Sequence, residues 1–397
     1  MEKKRIAKDL IYCIAAVGMM NAVLQLIVYP IINNRVGETG FGQMLFMLGI
    51  LNILAPSFGQ GVGNARLVLP RREKLRNRDY NIVIAALSLV SAVIAIVFAI
   101  ERKESLIGIL LFAYVIVISI YRMYGNTEYR FTLDFKKQFV FYLVLSIGYV
   151  VGLLLFWMTK QWYWVFIIGE TMAVLYVVFT GNIFGKQKGQ ELENRFQQIL
   201  KSSVLLSVSY LVTNLLLNLD RFILLYMIDS NAVSQYYVLS LLGKTAAIVS
   251  GPVNSVIIGY ITKDDTKIRF KSYLKGVALL LSVGVLFVVA CSIVTPIYIK
   301  LLYPNLYGAV EQLNVIVNAA QIIYFVTNVL LIIILTMCDI KWQFIIQVIY
   351  AIVFICSAIM LTKSGGLAGF AISAFWSSIF FFVLTALVGL HFARKNK

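Results

Sequence analysis

Residues 272–297 read SYLKGVALLLSVGVLFVVACSIVTPI, with a single charge, Lys275, near the start. A helix rises about 1.5 Å per residue, so a run of this length spans the roughly 30 Å hydrocarbon core of a bilayer. Eleven other segments meet the same test, at about 9–32, 41–65, 81–100, 105–124, 138–159, 162–184, 202–228, 233–262, 309–336, 343–362 and 367–390. Composition points the same way. Hydrophobic residues make up 60% of the 397 and charged residues 13%, against about 45–50% and 25% in soluble domains, and mean hydropathy is +0.87. A water-soluble fold of this size cannot hide so much apolar surface, so the solvent must be lipid. The expected class is an all-α polytopic membrane protein of about twelve transmembrane helices.

The net charge of +17 would suit nucleic acid if it sat on a soluble domain. Here the basic residues lie in short segments between apolar runs, and no nucleic-acid partner is expected. Counting residues near span ends with the adjoining side, 27 of the 35 Lys and Arg fall on the N-terminal side of the membrane, six on the other side and two, Arg221 and Lys244, within spans. The densest loop holds Arg66, Arg71, Arg72, Lys74, Arg76 and Arg78. The positive-inside rule therefore places the N-terminus, the C-terminus and the 185–201 linker in the cytoplasm of a bacterial-type inner membrane. The first apolar run is too long for a signal-peptide core and lacks a small-residue cleavage site, so it reads as a retained span. The four cysteines, Cys13, Cys291, Cys338 and Cys356, show neither metal-ligand spacing nor a disulfide framework. The single histidine, His391, lies in the C-terminal tail. No metal and no cofactor are expected.

Six spans, a charged linker and six more spans predict two six-helix lobes, 1–184 and 202–397, joined by 185–201, as in transporters with parallel repeats. A faint echo links the halves: Gln43 precedes Pro56 by 13 residues, and Gln235 precedes Pro252 by 17. No loop exceeds about 20 residues, so no soluble domain is expected. The phosphate-binding pattern GxxxxGK[ST] is absent. So are a nucleophile–His pairing, a carboxylate pair on an aqueous loop and a metal cluster, and the chain is not expected to be an enzyme.

Polar groups in hydrocarbon are costly unless they face a partner or a hydrated cavity. Asn21 and Gln25 lie one turn apart in the first span, and Asn52, Pro56, Gln60 and Asn64 form an i, i+4 row in the second. The seventh span carries Ser207, Tyr210, Asn214, Asn218 and Arg221 on one face, and the eighth Tyr237, Ser240 and Lys244. The tenth carries Glu311, Asn314, Asn318, Gln321 and Asn328. Amides and hydroxyls at such spacing either glue helices together for about 1 kcal/mol or less or line a shared cavity. Five helices with stripes favour the cavity.

Lys244 is the sharpest position, about 11 residues into its span and near the bilayer midplane. A lysine there costs about 2.5–3.5 kcal/mol on insertion scales. It is either half of an ion pair with Asp220 or Glu170, or a cationic handle for an anionic substrate. Arg221 adjoins Asp220 and is open to the same two readings. Arg66 ends its helix at the cytoplasmic face, where topology alone can explain it. Glu170 can pair with a cation or take a coupling proton or Na⁺.

Three features resemble the polysaccharide flippases of the multidrug/oligosaccharidyl-lipid/polysaccharide exporter superfamily. The first is the opening hairpin, residues 24–70, LQLIVYPIINNRVGETGFGQMLFMLGILNILAPSFGQGVGNARLVLP. The second is residues 218–237, NLDRFILLYMIDSNAVSQYY, like that family's Asn-x-Asp-Arg helix, tight turn and tyrosine. The third is the twelve-span layout with its basic linker. The resemblance implies two six-helix lobes around a central cavity lined by spans one, two, seven and eight. It implies a lipid-linked oligosaccharide of the undecaprenyl-pyrophosphate type as substrate, moved by alternating access, with membrane lipids and polysaccharide polymerase or assembly proteins as partners. Lys244, Arg221 and Arg66 would then face pyrophosphate or acidic sugars. The substrate set becomes these three with Asn21, Gln25, Asn52, Gln60, Asn214, Asn218 and Asn318, while Asp220 and Glu170 serve ion coupling or ion pairing. The rival readings are a drug or cation exporter of the same fold, which would want acids in its cavity, and a membrane polymerase or ligase, which would want a large outer loop.

Overall fold

The computed structural model describes residues 2–69, 75–185, 195–245, 270–335, 338 and 340–395. Arg71, Arg72, Lys74, Pro252 and most of the linker lie outside them. The described residues are helical almost throughout and contain no strand, as expected where every backbone N–H and C=O must be satisfied within its own segment.

The helices in order are α1 (Glu2–Ala22), α2 (Tyr29–Ala55), α3 (Gly61–Val68), α4 (Asn77–Glu101), α5 (Leu106–Gly125), α6 (Thr127–Phe131), α7 (Phe135–Thr159) and α8 (Tyr163–Thr180). There follow α9 (Phe196–Met227), α10 (residues 230–245), α11 (Phe270–Leu302), α12 (Tyr307–Val310), α13 (Asn314–Leu335) and α14 (Ile340–Lys395). Two π-helical turns interrupt the first two spans, Val23–Val28 between α1 and α2 and Pro56–Gln60 between α2 and α3.

Among the described residues nine segments are long and apolar enough to cross a membrane, and two of these, of 58 and 54 residues, are each about twice the length needed. Each folds back at a glycine with positive φ: Gly37 (φ 76°, ψ 176°) inside α2 and Gly366 (φ 55°, ψ −136°) inside α14. A Cβ is strained in either conformation, so these two glycines make the hairpins. The nine segments thus provide eleven crossings, and α10 begins a twelfth before leaving the described residues.

The described chain forms two compact units, Met1–Leu219 and Asp220–Lys397, the division falling inside α9. In the first unit α7 packs on α8 through small residues. A Cβ on Gly148 would run into the backbone of Gly169, and one on Gly152 into that of Val165, the close approach that glycines allow between membrane helices. In the second unit α11, α13 and α14 share an apolar core around Tyr273, Leu330, Ile334 and Ala393. There α11 contains Pro296, which lacks the N–H that would bond the carbonyl of Ser292. The Asn314 amide of α13 supplies the missing donor, Nδ2 to Ser292 O at 2.7 Å.

Candidate substrate site

Asp220 lies near the end of α9 and Lys244 in α10, with a tight turn between. Asp229 closes that turn by accepting the Ala232 N–H at 2.8 Å, an N-cap for α10. The hairpin brings the two charged residues together: Lys244 Nζ donates to Asp220 Oδ2 at 2.5 Å. The Lys244 side chain keeps 31% of its exposure and that of Asp220 11%, so the ammonium is the accessible half of the pair. Its Nζ also lies 5.8 Å from the centre of the Tyr236 ring, and Tyr236 OH accepts from Gln321 Nε2 at 3.1 Å. The Arg221 guanidinium stands 5.7 Å from the Tyr237 ring on the same hairpin. Two cations over two successive tyrosines, with the Asp220 carboxylate paired to one of them, form a charged group inside the spans of the second unit.

Glu170, a second mid-span acid, belongs to a separate network in the first unit. Arg122 of α5 grips it with Nε to Oε2 at 2.5 Å and Nη2 to Oε1 at 3.2 Å, and Tyr149 OH of α7 donates to Oε1 at 2.8 Å. The side chains are 8% and 1% exposed. The sequence offered Asp220 or Glu170 as partner for Lys244, and the structure chooses Asp220. Arg122, counted by loop position among charges on the N-terminal side, is a buried partner inside the bundle.

Arg66 is also buried, not laid at an aqueous surface. It donates to Tyr124 OH at 3.1 Å and Asn77 Oδ1 at 2.6 Å and lies 5.3 and 5.2 Å from the rings of Tyr80 and Phe131. Asn318 is wholly buried, and its Nδ2 reaches Thr295 Oγ1 at 3.0 Å and Asn314 Oδ1 at 2.8 Å. It thereby orients the amide that satisfies the proline break. Asn314 and Asn318 of the tenth-span stripe are therefore built into the packing of α11 against α13.

The other amides are more open. Gln25 and Gln60 sit in the two π-helical turns and are half-buried, and such turns recur at functional sites. Asn52 is exposed. Asn21 and Asn218 each donate to the carbonyl four residues back, at 2.9 Å in both cases, which satisfies one side of the amide locally. Asn214 Nδ2 donates to Ser57 Oγ at 3.1 Å. Asn64 Nδ2 donates to Tyr210 OH at 2.6 Å and its Oδ1 accepts from Arg130 at 3.0 Å. Tyr236, Tyr149 and Arg122 were not picked out in the sequence. The signal for Arg122 was Glu170 itself, a mid-span acid that demands a cation.

The described residues thus form a polytopic helical protein with hairpins at Gly37 and Gly366 and a buried or half-buried ion pair in each unit. No protein-family model and no curated protein matches the chain, but solved structures match nearly all of it. An inward-facing multidrug resistance MATE transporter of the MOP superfamily superposes with a TM-score of 0.67 at 13% identity, covering 96% of this chain and all of the other. The lipid II flippase MurJ, in an inward closed conformation, gives 0.66 at 13% identity over 98% of this chain and 90% of its own. An outward-facing MATE transporter gives 0.61 at 14% identity over 98% and 96%. At these identities the likeness establishes the fold, which is that of the transporters named.

Proposed function

We propose that the chain is a flippase that carries a polyprenyl-pyrophosphate-linked oligosaccharide from the inner to the outer leaflet of a bacterial cytoplasmic membrane, for cell-surface polysaccharide synthesis. The supporting observation is the charge arrangement within the spans. Both mid-span acids, Glu170 and Asp220, already hold a basic partner, and the more exposed member of the Asp220 pair is Lys244. A site that presents a cation and neutralises its acids suits a diphosphate better than a cationic drug. The likeness to a lipid II flippase supports the reading at the level of fold. The equal likeness to multidrug transporters keeps export of a drug as the second reading.

In this proposal lobes 1–184 and 202–397 alternate access to a cavity between spans one, two, seven and eight. Lys244 and Arg221 hold the diphosphate, while Asn21, Gln25, Asn52, Gln60, Asn214 and Asn218 take sugar hydroxyls. Arg66 and Asn318, bound up inside their units, support the helices that carry these groups. Polymerase or assembly proteins would receive the product. Depleting the protein from cells tests the reading. Lipid-linked oligosaccharide trapped in the cytoplasmic leaflet supports it, whereas unchanged pools with raised drug sensitivity sink it in favour of export.

A further inference from the structure

Where α14 ends, Leu387, Leu390, His391 and Arg394 follow one another at steps of one or three residues along one stripe of the helix, and they line a recess of about 380 Å³. The stripe changes character along its length. Leu387 and Leu390 lie deeper in the span, and His391 and Arg394 lie toward its end. From Leu387 to Arg394 is about 10 Å of helix at 1.5 Å per residue, the distance over which a membrane passes from acyl chain to head group.

Neighbouring elements hold this end in place and add charge. Tyr273 of α11 seats its ring on Gly389 and donates its OH to Ala386 O at 3.1 Å. Arg394 lies 5.6 Å from the Phe270 ring at the start of α11, and Trp342 at the start of α14 packs edge-on to Phe392. The starts of α11 and α14 and the end of α14 therefore meet at one level. They bring Lys271, Lys275 and Lys341 to the same end as Arg394. No Asp or Glu occurs in the sequence from Thr266 to Val310 or from Ile340 to Lys397. By loop charge this end is cytoplasmic.

We propose that the recess binds an anionic phospholipid of the surrounding bilayer. The phosphate would be held by Arg394, whose planar guanidinium suits phosphate oxygens, with Lys271 and Lys275 adding attraction. One acyl chain would lie over Leu387 and Leu390. Basic recesses between membrane helices on the cytoplasmic side are suited to such head groups, each cation contributing about 1 kcal/mol or fivefold in affinity. This inference does not rest on the flippase reading.

The test is native mass spectrometry of the purified full chain released from nanodiscs of equal phosphatidylglycerol and phosphatidylcholine. The wild type is expected to retain phosphatidylglycerol preferentially, with the preference falling about fivefold for each of Arg394→Gln and Lys271→Gln. Lys300→Gln and Lys363→Gln, on the opposite side of the membrane, should leave it unchanged. Equal retention of the two lipids by the wild type would overturn the proposal without recourse to any variant. Displacement of phosphatidylglycerol by undecaprenyl pyrophosphate at equal concentration would also overturn it, and would make the recess an entry point for substrate.

Discussion

Glu170→Gln should destabilise the protein far more than a polar exchange of equal size usually does. The carboxylate is 1% exposed and accepts two bonds from Arg122 and one from Tyr149. Neutralising it leaves a guanidinium in the bundle with no counter-charge in this network. Removing one partner of a buried pair costs about 3–5 kcal/mol, and at this burial solvent screening does not reduce the figure. Arg122→Met strands the carboxylate instead and should cost a similar amount. The double variant Arg122→Met, Glu170→Gln leaves no charge behind, so only net hydrogen bonds are lost, at about 1–2 kcal/mol. It should therefore be more stable than either single variant. The assay is reversible unfolding in mixed micelles with increasing dodecyl sulfate, followed by far-ultraviolet circular dichroism. A double variant that loses as much as the two singles added together would refute the reasoning, because the charges would then not be acting as a pair.

Three other outcomes follow from the packing. Asn314→Leu leaves the Ser292 carbonyl without its donor and should cost about 1–3 kcal/mol; adding Pro296→Ala restores the backbone N–H and should recover most of the loss in the same unfolding assay. Gly37→Ala forces a Cβ into a backbone conformation suited to glycine and should cost about 1–3 kcal/mol, read as a lowered unfolding midpoint; no change there would mean that the hairpin turns elsewhere. Gly148→Val pushes α7 away from α8 and should cost about 1–3 kcal/mol through overpacking, whereas the same substitution at Gly276, which has open space around it, should be nearly neutral.

The hydrophobic runs disclosed the helices because lipid imposes one rule on every span, and that rule is written in composition. The hairpins at Gly37 and Gly366 were visible only as gaps between runs, since a positive φ leaves no trace beyond the glycine itself. The polar stripes were legible in the sequence, but what each amide does was not. Asn314 and Asn318 read as cavity residues by spacing, yet they serve a proline 18 to 22 positions earlier on a neighbouring helix. That pairing needs the packing of α11 on α13, which no periodicity encodes. Lys244 and Asp220 were recoverable because a tight turn joins their helices. Glu170 and Arg122 were not, because 48 residues and two helix reversals separate them. Arg66 looked like a topology charge from its place at a helix end and is instead enclosed by Tyr80, Tyr124 and Phe131.

The most direct test of the proposed function is transbilayer movement in proteoliposomes. The protein would be reconstituted with an undecaprenyl-pyrophosphate oligosaccharide, and outward appearance of the glycan followed by a membrane-impermeant glycosidase. Wild-type protein should speed the appearance, and Lys244→Ala should slow it by about tenfold or more, the loss of one charge-assisted contact of about 1.5–3 kcal/mol. Wild-type vesicles no faster than protein-free ones would contradict the flippase account, and undiminished movement by Lys244→Ala would remove its cationic handle.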